Sequence, residues 1–83
     1  MRKVHETEFN SYDLDGCASR LIIYALDTEE EFWDLMDANP REREEIVGVQ
    51  SQYGVMPGAK YARYTVEVCG DFVVVTEYMA YNV

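Results

Sequence analysis

The stretch that most constrains the fold is Lys60–Tyr81. Two runs rich in Val, Tyr and Thr flank Gly70-Asp71, and a glycine-first pair of this kind suits a two-residue type II′ turn. The turn predicts a hairpin with Cys69 opposite Phe72, Val68 opposite Val73, Val66 opposite Val75 and Tyr64 opposite Glu77. Period-2 alternation then separates two faces. Ala62, Val66, Val68, Val73, Val75 and Met79 form the face expected to enter the core. Tyr61, Arg63, Thr65, Glu67, Phe72, Val74, Thr76 and Tyr78 form the outer face. A lone hairpin is marginal in water, so the rest of the chain must cover the valine face.

Upstream, residues 2–10 alternate weakly, with Val4, Glu6 and Glu8 against His5, Thr7 and Phe9, which predicts a short edge strand. Ser11–Gly16 has the composition of a turn. Ala18–Leu26 is a continuous apolar run. Its length and β-branched content predict a strand buried on both faces, with a short helix from Asp15 as the alternative. Thr28, with Glu31 three residues on, reads as a capping box, and the carboxylates of Asp27–Glu31 favour the positive end of a helix dipole. Phe32, Trp33, Leu35 and Met36 supply the apolar stripe of this first helix. Pro40 ends it near Ala38-Asn39. Asn39-Pro40 in turn starts a second helix that runs to about Gln50, its apolar side led by Ile46 and Val49. Ser51–Ala59, with Gly54, Pro57 and Gly58, is a loop. The predicted order is ββααββ. It describes a small single α+β domain over residues 1–83, an antiparallel sheet of about four strands with two short helices packed on one face.

The charge bears on function. Sixteen acidic residues against seven basic give a net charge of −9, a field that disfavours nucleic acid and anionic membrane as direct partners. It favours basic partners and speeds encounter with them. Solubility is the plainer use of such charge. The hydrophobic share of 48% supports a compact core rather than a disordered chain. No apolar run approaches the roughly 20 residues that span a bilayer. The Met1–Glu6 segment is polar rather than signal-like, and two cysteines, Cys17 and Cys69, make neither a disulfide framework nor a zinc motif. A reduced, cytoplasmic setting is expected.

The strongest constellation is acidic. Asp27–Glu45 holds nine carboxylates and two arginines. Asp27, Glu30, Asp34 and Asp37 recur at three- and four-residue spacing, which places them on one helix face about 5–6 Å apart. Successive phosphates of a nucleic-acid strand lie at comparable separations, so the stripe could occupy a protein groove built for a phosphate backbone. Glu31, Glu42 and Glu45 extend this expected partner-binding face. Its ordinary alternative is a solvated helix face. Asp13-Leu14-Asp15-Gly16 has part of a calcium loop, but the bidentate position falls on Ile22 and an ordinary turn is the better reading. His5 is the only histidine and has no partner nucleophile in the sequence. No catalytic residue, metal or cofactor is expected. A second candidate surface is aromatic: Tyr61, Arg63, Phe72 and Tyr78 on the outer hairpin face, with Tyr53 and Met56 in the nearby loop. Tyr and Arg are enriched at binding hot spots, and such a face would also serve self-association.

In size, acidity and lack of motifs the chain resembles the small anti-defence proteins of phages and plasmids, such as anti-CRISPR and anti-restriction proteins. The likeness is one of general type and assigns no residue. It implies binding to a CRISPR effector or restriction enzyme through acidic and aromatic side chains. Two expectations follow. One is a small inhibitor that uses the acidic stripe to occupy the nucleic-acid site of a basic enzyme. The other is a non-catalytic adaptor that docks through the aromatic outer face of the hairpin.

Overall fold

A computed structural model of the chain describes residues 1–9, 18–52, 57–58 and 60–81. The turn and calcium-loop segment at Ser11–Gly16, together with Cys17, Tyr53 and Met56, lies outside them. The element order is β1 (Arg2–Glu8), β2 (Ala18–Ala25), α1 (Glu29–Met36), α2 (Pro40–Val47), β3 (Lys60–Cys69) and β4 (Phe72–Tyr81). The strands make one antiparallel sheet in the order β1-β2-β4-β3, so β1 and β3 are the edges and β4 sits inside.

The hairpin has the register that the turn chemistry predicts, from Cys69↔Phe72 through Val68↔Val73 and Val66↔Val75 to Tyr64↔Glu77. Gly70 adopts φ +60° and no non-glycine residue among those described has positive φ, which fits a II′ turn and excludes I′. The Leu26 amide donates to the Asp71 carbonyl at 2.8 Å and ties the turn to the end of β2.

Both helices start on capping boxes. Thr28 accepts from the Glu31 amide at 3.2 Å, and Asn39 accepts from the Glu42 amide at 2.9 Å while the Glu42 carboxylate accepts from the Asn39 amide at 3.0 Å. The second box was not anticipated from Asn39-Pro40 alone, although Glu42 stands at the required third position. Helix α2 stops at Val47 rather than near Gln50, because Gly48 takes the left-handed conformation (φ +83°) and its amide caps the Glu44 and Glu45 carbonyls.

The core lies between the two helices and one face of the sheet. Leu35, Val73 and Val75 are fully buried and Ile22 nearly so, with Tyr24, Leu26, Val47, Val49, Tyr64, Val66 and Val68 packed around them. Arg43 crosses this junction, its guanidinium donating to the Leu35 carbonyl at 2.8 Å and to the Val66 carbonyl at 3.4 Å. It thereby satisfies a carbonyl of the last turn of α1 and joins both helices to β3.

Strand β2 is not buried on both faces. Ile22 and Tyr24 face the helices, while Leu21 and Ile23, opposite Thr76 and Val74, lie half-buried on the other side. The reason is the number of layers. Both helices pack on the same face, and the Cα frame measures only 42 × 25 × 15 Å. The apolar stripe of α1 is likewise narrower than Phe32, Trp33, Leu35 and Met36 suggest. Only Leu35 is buried, and Trp33 and Met36 are exposed, as is Ile46 on α2.

A polar network occupies the helix-side face of the sheet beyond the reach of the helices. A β-bulge between Ala18 and Arg20 turns the buried Ser19 hydroxyl onto Glu77 Oε1 at 2.9 Å, and the Tyr64 hydroxyl donates to Glu77 Oε2 at 2.8 Å. Arg20 lies 3.7 Å from Glu77, 3.6 Å from Glu6 and 3.5 Å from Glu8, and Lys3 meets Glu6 at 2.9 Å. Burial, reinforced by Glu77, pushes the Tyr64 phenol up to about 12. A raised folded-state pKa means the phenol's contribution to stability is complete below its unfolded value of about 10 and is lost as pH rises through about 12. Tyr64→Phe is expected to cost about 1–2 kcal/mol, since Glu77 keeps Ser19 and Arg20 as partners. It should also delete a transition near 12 from the ultraviolet titration of the tyrosines. An unchanged late transition would assign it to another tyrosine.

Candidate functional site

The acidic segment divides into carboxylates used by the fold and carboxylates left over. Asp27 precedes α1 and turns back to β1, where it accepts from the Met1 amine at 2.8 Å and from Arg2 Nε at 2.7 Å. Glu31 serves the capping box and accepts from the same amine. The hydrogen bonds from that amine, with those of Arg2 to Asp27 and of the Asp27 amide to Glu31, hold both carboxyls below the usual carboxylate range. Glu42 is spent on its own cap, and Glu44 accepts from the Ser51 amide.

Glu30, Asp34, Asp37 and Glu45 remain. All four are exposed, and among the described residues no ion pair or side-chain hydrogen bond engages them. Glu30, Asp34 and Asp37 stand at positions i, i+4 and i+7, within one narrow sector of α1 and its C-cap. The four-residue stripe expected from spacing is therefore three residues long. Neither arginine of the segment neutralises it, since Arg43 points into the core junction.

Trp33 lies beside that sector and is 52% exposed. Its ring meets Phe32 edge to face with centroids 5.1 Å apart, and its indole N–H donates to Glu29 at 3.4 Å. Met36 follows three residues on and is also exposed. Sequence spacing assigned both to the core. The signal that tells against this is the width of the apolar arc, which exceeds what an eight-residue helix can bury against one strand edge. Where α1 begins, Leu26, Asp27, Thr28, Glu29, Phe32, Gly70 and Asp71 line a recess of about 420 Å³ with three carboxylates at its rim.

No family model, curated protein or solved structure matches the chain.

The residues of the aromatic candidate surface share the outer side of the sheet, but only Tyr61, Arg63 and Tyr78 are neighbours; Phe72 lies at the turn end, six residues along β4 from Tyr78 and about 20 Å away. Tyr78 stands opposite Arg63 and Phe72 opposite Cys69, and Tyr61 lies two residues along β3 from Arg63. Phe72 is 48% exposed, while Tyr61 and Tyr78 are half-buried. Cys69 is an exposed free thiol. His5 is exposed on the same side and hydrogen-bonded to the Thr7 hydroxyl at 2.5 Å. Among the described residues no cluster of His, Cys, Asp or Glu could hold a metal ion, and no helix is long and apolar enough to cross a membrane.

Proposed function

We propose that this chain is a non-catalytic binding protein. Its α1 face engages a basic, nucleic-acid-handling enzyme and blocks the site where DNA or RNA would lie. The observation that carries the reading is the juxtaposition of an exposed Trp33 with three carboxylates, Glu30, Asp34 and Asp37, that the fold leaves unpaired. Like charges at this spacing each cost the helix a few tenths of a kcal/mol, a loss that a basic partner would reverse. An exposed tryptophan rimmed by charge has the make-up of an interface hot spot, in which a large apolar anchor is desolvated and the rim sets orientation. The recess between α1 and the hairpin turn, with Glu29 and Asp71 beside an Asp27 already paired to Met1 and Arg2, suits a lysine or arginine of the partner. A CRISPR effector or a restriction enzyme has the required basic groove, and an acidic face in that groove would stand in for a phosphate backbone.

Affinity capture from host extract tests this. The expected catch at low salt is a nucleic-acid enzyme that is released both by rising salt and by added DNA or RNA, because screening and competition act on the same contact. A catch that ignores salt and nucleic acid alike overturns the acidic-face reading.

A further inference from the structure

We infer that the outer face of the sheet is the interface of a homodimer, with a second copy of this chain packed sheet to sheet against it. Pairing across the strands arranges this face in rows. Thr7, Leu21, Thr76 and Thr65 form one row, His5, Ile23, Val74 and Glu67 the next, and Arg2, Ala25, Phe72 and Cys69 a third, with Tyr78 and Arg63 beyond the first. The apolar members Leu21, Ile23, Phe72, Val74 and Tyr78 thus fall on the two inner strands. The edge strands carry Arg2, His5, Thr7, Arg63, Thr65 and Glu67, with Tyr61 and Cys69 among them on β3. An apolar centre inside a polar rim is the anatomy of a protein interface. Among the described residues nothing packs on this side, since both helices contact the opposite face.

Charge selects the occupant. The chain carries −9, yet the described outer-face rows hold only Arg2, Arg63 and Glu67 as charged residues, a local balance of +1. A basic partner is drawn to the helices, not here. For a second, equally acidic copy this face offers a broad surface of approach without local repulsion among the described residues. Stacked layers lie about 10 Å apart, so a helix–sheet–sheet–helix arrangement separates the two acidic helix layers by roughly 30 Å. That distance exceeds the Debye length of about 8 Å at physiological salt, and the layers no longer repel.

The area is sufficient. Four strands at about 4.8 Å spacing and about eight residues at 3.3 Å give a footprint of roughly 500 Å² per copy. The pair buries about 1,000 Å², the lower limit of specific association, so the dimer should have micromolar affinity. The dimer presents its two α1 faces on opposite outer surfaces, so it leaves the proposed binding face free and does not depend on it.

Sedimentation of the purified chain from about 1 μM to about 200 μM, a range that brackets micromolar affinity, is the test. The mass should rise with concentration from 9.6 kDa towards twice that value. Phe72→Lys replaces the most exposed apolar side chain of this face with a charge and should weaken association by about 100-fold, as burial of an unpaired charge would. Thr65→Arg, at an exposed rim position that the fold does not need, should weaken association by about tenfold and covers the case in which Phe72→Lys unfolds. A monomer throughout the range overturns the inference, as does a dimer indifferent to both substitutions. Should the chain be monomeric while Phe72→Lys loses a captured protein, the face belongs to a different partner.

Discussion

Leu35→Ala should remove much of the stability of this domain. Leu35 is the only fully buried residue that either helix contributes, and it meets Val73, Val75 and Ile22 across the sheet. Truncating a buried leucine costs about 2–5 kcal/mol through lost transfer energy and the cavity left behind. At about 0.05–0.15 kcal/mol per residue, a domain of 83 residues has only some 4–12 kcal/mol in total. The collapse that softens such losses needs neighbours that can move inward. Val73 and Val75 are held by the sheet, and Arg43 pins the end of α1 to β3. Alanine is an excellent helix former, so the loss cannot be ascribed to propensity. Urea unfolding followed by far-ultraviolet circular dichroism measures it. A loss below about 1 kcal/mol would mean that the helix layer contributes little to the core.

The combined reversal Glu30→Lys, Asp34→Lys and Asp37→Lys should abolish partner binding and leave the fold intact. Each reversal adds two charges and takes the net charge from −9 to −3. None of the three carboxylates caps a helix or pairs with a cation among the described residues. The helix loses favourable charge at its first turn and gains it at its last, about 0.3–1 kcal/mol each way. Binding has no such compensation. At about 1.4 kcal/mol per site the loss is on the order of 1,000-fold at low salt, shrinking as salt rises. Titration of the captured enzyme with wild-type and reversed chains, beside a thermal melt of each, reads both quantities. A reversed chain that is folded and still binds as tightly removes the acidic face from the function.

The hairpin and the two helix starts were legible because each is encoded locally, by a glycine-first turn between alternating runs, by Thr28 with Glu31 three positions on, and by Asn39 followed by Pro40 at the first helical position. The same local logic erred where the answer depended on what lies opposite. Ala18–Ala25 looks two-sided in composition, yet β2 has a helix layer on one side only. Trp33 and Met36 sit at core spacing, but α1 is too short and too lightly docked to bury more than Leu35. The pairing of Tyr64 with Glu77 followed from register. The bulge that brings Ser19 onto that carboxylate did not, because a bulge arises from the match between two strands rather than from either one. Among the seven expected acidic residues, spacing could not tell Asp27, Glu31 and Glu42, which serve the fold, from Glu30, Asp34, Asp37 and Glu45, which it leaves unused.

The position of β4 also governs how the chain matures during synthesis. The strand that fills the gap between β2 and β3 is the last of the six elements to be translated. Until it arrives, β3 has no neighbour, β2 has only β1, and Val73 and Val75 are missing from the core. Nothing ahead of residue 72 can then close the sheet. A nascent chain that carries every earlier element therefore still exposes its leucines and isoleucines to chaperones and proteases. The transition to a protected state therefore waits on the emergence of a single ten-residue strand.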